Sequence, residues 1–105
     1  VILHPEAQEE LRAAAIYYED RRAGLGLRFV EALESGFRQI ERSPFTWRCI
    51  RGDIRRFLVK TFPYGIVYAP ADKDIFVLAI MHFKREPDYW LGRLEDLPAP
   101  PIIPV

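Results

Sequence analysis

The feature that most constrains this chain is the run from Ile75 to Phe83, which is apolar on both faces of a strand. Alternation sends Ile75, Val77, Ala79, Met81 and Phe83 to one side and Phe76, Leu78 and Ile80 to the other, until His82 and Lys84 take over the second side. A strand of this kind belongs inside a layered fold, with something packed on each face of its sheet.

Residues upstream supply one cover. Val1-Ile2-Leu3 is a short β-prone opening that runs into His4-Pro5-Glu6. Proline suits the first position of a helix, and an acid suits its N-terminal end. His4 reads as a cap beside that proline. From Pro5 to about Asp20 the residues Ala7, Leu11, Ala14, Ala15 and Tyr18 recur at helical spacing, and Phe29, Leu33, Phe37 and Ile40 form a second stripe that stops at Ser43-Pro44. Gly24-Leu25-Gly26 lies between the stripes, so the two helices form an antiparallel hairpin.

A loop from Pro44 to Gly52 leads into β-branched and aromatic sequence. Ile54 to Thr61, Tyr64 to Ala69 and Ile75 to Phe83 read as a three-stranded antiparallel meander, with turn signals at Phe62-Pro63 and from Pro70 to Asp74. Pro87 to about Leu94 suits a short terminal helix. The expected fold is α+β in the order β-α-α-β-β-β plus that helix: a single domain over residues 1–97, then a proline-rich tail over 98–105. A chain of 105 residues, half of them hydrophobic, has enough core for one domain and not for two.

The helical hairpin covers only one face of the Ile75–Phe83 strand. The second is covered either by Tyr89, Trp90, Leu91 and Leu94 folding back or by a partner protein. The brevity of the terminal segment favours the partner.

The single Cys49 forms no internal disulfide, which points to a reducing compartment, and no apolar run reaches the length of a membrane span. The expected location is the cytoplasm. A formal net charge of zero conceals an asymmetry. Acids Glu6, Glu9, Glu10, Glu19 and Asp20 face one base, Arg12, in the first helix, whereas Arg42, Arg48, Arg51, Arg55, Arg56 and Lys60 face only Asp53 further on. Either the acidic helix neutralises this basic segment within the fold, or the segment is a local patch for an anionic partner.

Nucleophile elbows, phosphate loops and dinucleotide fingerprints are missing, and Cys49, His4 and His82 lack metal-ligand spacing, so neither metal nor cofactor is expected. What remains is a cationic and aromatic set: Arg51, Arg55, Arg56 and Lys60 on the first long strand, and His82, Lys84, Arg85 and Tyr89 after the last. Arg55 and Arg56 are neighbours and point to opposite faces, so alternation groups Arg56 with Lys60. Guanidinium groups hold phosphate and an imidazole such as that of His82 can carry a proton, so metal-free cleavage of RNA beside its 2′-hydroxyl is chemically accessible.

The words His4-Pro5-Glu6-Ala7, Tyr17-Tyr18-Glu19, Gly24-Leu25-Gly26, Arg55-Arg56-Phe57-Leu58-Val59, Phe62-Pro63-Tyr64-Gly65-Ile66-Val67-Tyr68 and Arg85-Glu86-Pro87-Asp88-Tyr89-Trp90, in this order, resemble the RelE/ParE superfamily of toxins, ParE-like branch. The resemblance covers about residues 1 to 94. It implies the toxin of a bacterial type II toxin–antitoxin module, bound in a hetero-oligomer by an antitoxin whose partly disordered segment silences it. ParE-type members poison DNA gyrase, and RelE-type members cut mRNA on the ribosome. The RelE-like catalytic cluster has as its nearest counterparts Arg56, Lys60, Arg85 and Tyr89, a depleted set, so the resemblance implies a gyrase inhibitor that is not an enzyme. The alternatives are a metal-free mRNA endonuclease using Lys60, His82, Arg85 and Tyr89, or a toxin-derived domain without activity. Arg56, Lys60, His82, Arg85, Tyr89 and Trp90 are the expected target-binding residues. The antitoxin is expected on the Phe76, Leu78 and Ile80 face or in the helical groove beside Leu11, Tyr18 and Phe29.

Overall fold

The computed structural model describes residues 1–97; the expected tail, 98–105, lies outside the described residues. Helix α1, Pro5–Arg21, starts where the sequence places it. Pro5 occupies the first turn, and the His4 ring accepts a hydrogen bond at Nδ1 from the Glu6 N–H at 3.0 Å. The connection to α2, Leu25–Arg42, turns at Gly24, whose φ of 88° is accessible to glycine. The Glu19 carboxylate accepts from the N–H groups of Gly24 and Gly26, both at 3.0 Å, and ties the turn to α1. Gly26 also sets the helix spacing: a Cβ there would lie 2.5 Å from the Ala15 carbonyl oxygen.

Five strands form one sheet in the order β1-β5-β4-β3-β2: β1 Ile2–Leu3, β2 Arg48–Arg51, β3 Ile54–Leu58, β4 Tyr64–Pro70 and β5 Ile75–His82. The α+β class, the helical hairpin and the three-stranded meander stand as expected. Two features extend them. First, β1 lies parallel to β5, which makes the sheet mixed. Second, the expected loop from Pro44 to Gly52 contains β2, paired antiparallel with β3 through the two-residue turn Gly52-Asp53. Gly52 has φ 54°, the left-handed geometry that short hairpin turns require.

The alternation expected for β5 fails at one residue. Tyr68 pairs with Val77 and Val67 with Ala79, leaving Leu78 as the extra residue of a bulge. Beyond it the faces exchange. Ile75, Val77 and Ile80 join the core beneath the helices, with Phe29, Leu33, Ile40, Phe57, Ile66 and Tyr68. Leu78, Ala79 and Met81 face the other way. Phe76, Leu78 and Ile80 therefore do not share a face.

The second face is covered by the chain itself, where a partner was expected. Trp90, with no exposed surface, packs on Ile54, Val67, Leu78, Ala79 and Met81, and Tyr89, Leu91, Leu94 and Leu97 surround it. The expected short terminal helix is present, but it starts later than Pro87 and is of the 3-10 type. The segment is a turn over residues 87–90 followed by a 3-10 helix, Leu91–Asp96. Its brevity matters little because one tryptophan buries on the order of 200 Å².

Candidate functional site

Strand β1 is only two residues long and pairs with β5 only at Phe76 and Val77, so the outward backbone groups of β5 need other partners beyond that point. Side chains provide them. Arg93, from the 3-10 helix, donates from Nη1 to the Leu78 carbonyl at 2.9 Å, and the Ile80 N–H donates to Oε1 of Glu10 at 3.0 Å. Glu10 and Arg93 also form a two-point ion pair, Nη1 to Oε1 and Nη2 to Oε2, each 2.9 Å. The Tyr89 hydroxyl donates to Glu10 Oε2 at 2.6 Å. One carboxylate thus accepts from a strand, a phenol and a guanidinium, and it fixes the terminal segment to α1 and to the sheet edge.

The same anchoring positions a cleft of about 300 Å³ between α1 and the end of β5, lined by Glu10, Tyr17, Tyr64, Ile80, His82 and Arg85 among others. The Tyr64 ring meets the His82 ring edge-on at 5.0 Å. The Lys84 N–H donates to His82 Nδ1 at 3.0 Å, so in the neutral ring Nε2 carries the proton. The Arg85 guanidinium lies 3.8 Å from the centre of the Tyr89 ring. Burial, reinforced by the bond to Glu10, pushes the Tyr89 phenol well above its ordinary range, so this group holds its proton and is already engaged as a donor.

The expected target-binding residues fall into separate places. His82, Arg85 and Tyr89 share this corner. Lys60 lines a different hollow, with Arg28, Glu31, Ser35 and Gln39 of α2. Arg56 lies on the outer face of the sheet, its stem over Gly65, so the grouping of Arg56 with Lys60 by alternation fails: β3 ends at Leu58, the Val59 N–H still donates to the Tyr64 carbonyl, and the chain bends at Lys60. Trp90 is sealed in the core. Among the residues expected to meet the antitoxin, Phe29, Leu78 and Ile80 are closed off by the chain itself, whereas Leu11, Tyr18 and Phe76 are half-buried.

Sequence reasoning passed over Glu10 and Arg93. The signal was present for Glu10, an acid three residues after Ala7 and four before Ala14 on the buried stripe, a position that demands a partner. It also left open whether α1 neutralises the basic segment. It does not. The acids of α1 engage Arg12, Arg93 and the Gly24 turn, and within the basic segment only Arg51 has an acid within ion-pair distance among the described residues, Asp88 at 3.9 Å. Among these residues no three His, Cys, Asp or Glu side chains converge as a metal site, and no helix is long and apolar enough to cross a membrane.

A helical hairpin on one face of a small mixed sheet, with a terminal strap on the other and an aromatic cleft at its edge, defines a compact α+β domain. Residues 1–87 match the family described as ParE toxin of type II toxin-antitoxin system, parDE, and the chain belongs to that family. It is accordingly the toxin of a toxin–antitoxin pair, with an antitoxin as its partner. No curated relative matches it. Tyr89, Trp90 and Arg93 lie just beyond the matched residues.

Proposed function

We propose that this toxin inhibits DNA gyrase by binding it, without hydrolytic chemistry, and that its antitoxin neutralises it by wrapping the domain. The observation that carries this reading is the dispersal of the cations a nuclease would need in one place. Lys60 stands in the α2 hollow, Arg56 on the outer face, and His82 with Arg85 in the edge cleft. The Tyr89 phenol is bound to Glu10 and holds its proton more tightly than a free phenol, which makes it a poor acid for a leaving group. Membership of the ParE family points the same way.

The test is supercoiling by purified gyrase in the presence of the purified toxin, with and without antitoxin, alongside transcript integrity in cells where the toxin alone is induced. The expected result is inhibition relieved by the antitoxin, a DNA-damage response and intact transcripts. Codon-linked breaks in mRNA with unaffected gyrase would replace this reading with the endonuclease one, for which His82 and Arg85 in one cleft are the available groups.

A further inference from the structure

We infer that the uncovered half of the sheet's outer face, built from Arg48, Arg56, Leu58 and Phe83, is the surface that grips the target, and that the target contributes an acidic protein segment carrying an apolar side chain. This rests on the reading that the toxin acts by binding a protein, and it names the surface and the partner chemistry which that reading leaves open.

Arg48 and Arg56 are direct partners across the β2–β3 ladder, so their side chains emerge on the same face. Like charges facing each other oppose strand pairing, and no acid lies within ion-pair distance of either among the described residues. Their neighbours differ: Arg55, on the opposite face, donates to the carbonyls of Phe45 and Trp47 at 2.9 and 2.8 Å, and Arg51 has Asp88. The Arg56 stem is seated by Gly65, where an added Cβ would lie 3.0 Å from Arg56 Cγ and Cδ. The bare strand at that point lets the arginine lie against the outer face over β4, while Arg48 emerges on the same face from β2.

An apolar pair adjoins the charges. Leu58 follows Arg56 on the same face and is 57% exposed. The Phe83 N–H donates to the Pro63 carbonyl at 3.0 Å, which continues the β4–β5 ladder one step and brings Phe83, 47% exposed, to the face of Met81. The strap centred on Trp90 covers Ile54, Val67, Leu78, Ala79 and Met81 and leaves this pair open. Two unopposed guanidinium groups call for carboxylates. Two large exposed apolar side chains are of no use to a phosphate backbone, and the chain as a whole carries no net charge to attract nucleic acid. The combination fits an acidic protein segment with an apolar anchor.

The test uses the full chain with the double substitutions R48Q/R56Q and L58S/F83S, and Arg38→Glu, an exposed position on α2, as control. Growth arrest on induction, inhibition of purified gyrase and affinity for the purified cognate antitoxin are measured, with urea unfolding to establish that each variant is folded. The expected result is that both double variants lose arrest and inhibit gyrase about tenfold or more less strongly, the loss of a contact worth roughly 1.4 kcal/mol, with antitoxin affinity unchanged and Arg38→Glu still toxic. Wild-type arrest by folded double variants overturns the assignment. So does a matching loss of antitoxin affinity, which would give the surface to the antitoxin, or RNA binding that weakens in R48Q/R56Q and not in L58S/F83S. If the wild-type chain arrests growth without touching gyrase, the gyrase reading fails while the variants still decide this surface. A wild-type chain that arrests nothing overturns both.

Discussion

Two charged regions of this molecule are built on opposite principles. At the β5 edge, Glu10 and Arg93 are withdrawn from water, bonded to each other at two points, and between them they satisfy the Leu78 carbonyl and the Ile80 N–H. On the β2–β3 hairpin, Arg48 and Arg56 are cross-strand partners, and among the described residues no acid lies within ion-pair distance of either. The first region is complete within the chain and explains how a short segment stays in place over the sheet. The second is left unpaired within the described residues, and it is the surface we assign to a partner.

The largest expected effect comes from breaking the completed region. Arg93→Met removes one member of a buried ion pair and leaves Glu10 with an uncompensated charge, which costs about 3–5 kcal/mol in urea unfolding. At roughly 4–8 °C per kcal/mol for a domain of this size, a fall of only a degree or two in melting temperature would show that water already compensates Glu10.

A smaller effect should appear in alkali. Burial pushes the Tyr68 phenol up to about 12 and raises that of Tyr89 further, while both titrate near 10 in the unfolded chain. The folded state therefore keeps these protons where the unfolded state loses them. The stability they contribute is intact below pH 10 and falls as pH rises towards 12. Stability measured against pH should decline less steeply over that window in Tyr68→Phe and in Tyr89→Phe. Curves parallel to wild type would mean that neither phenol is protected by the fold.

The smallest effect sharpens the contrast from the other side. Relieving the repulsion in R48Q/R56Q should leave stability unchanged or raise it by about 0.2–1 kcal/mol at low salt, with the difference fading as salt is added. A clear loss of stability would mean that the hairpin needs these arginines for its own folding.

Local sequence determined the elements whose cause is local. The His4-Pro5-Glu6 start, the Gly24 turn and the two apolar stripes fix the helical hairpin, because capping and 3.6-residue periodicity act within a few residues. The Ile75–Phe83 run established that the sheet had to be covered on both sides. Strand β2 was missed because Arg48 to Arg51 shows little apolar alternation, and it becomes a strand by pairing with β3. The bulge at Leu78 was illegible for a related reason: it exists only in the register between β4 and β5, and it moves Ile80 to the helical face.

Site legibility followed the same division. The sequence by itself determined the residue types, the basic segment and the need for a second cover. Tertiary structure decided that Trp90 provides that cover, that Glu10 finds Arg93 across 83 positions of sequence, and that Arg56 parts from Lys60 and joins Arg48. Burial and charge pairing depend on which distant residues the fold brings together, and neither composition nor spacing along the chain encodes that distance.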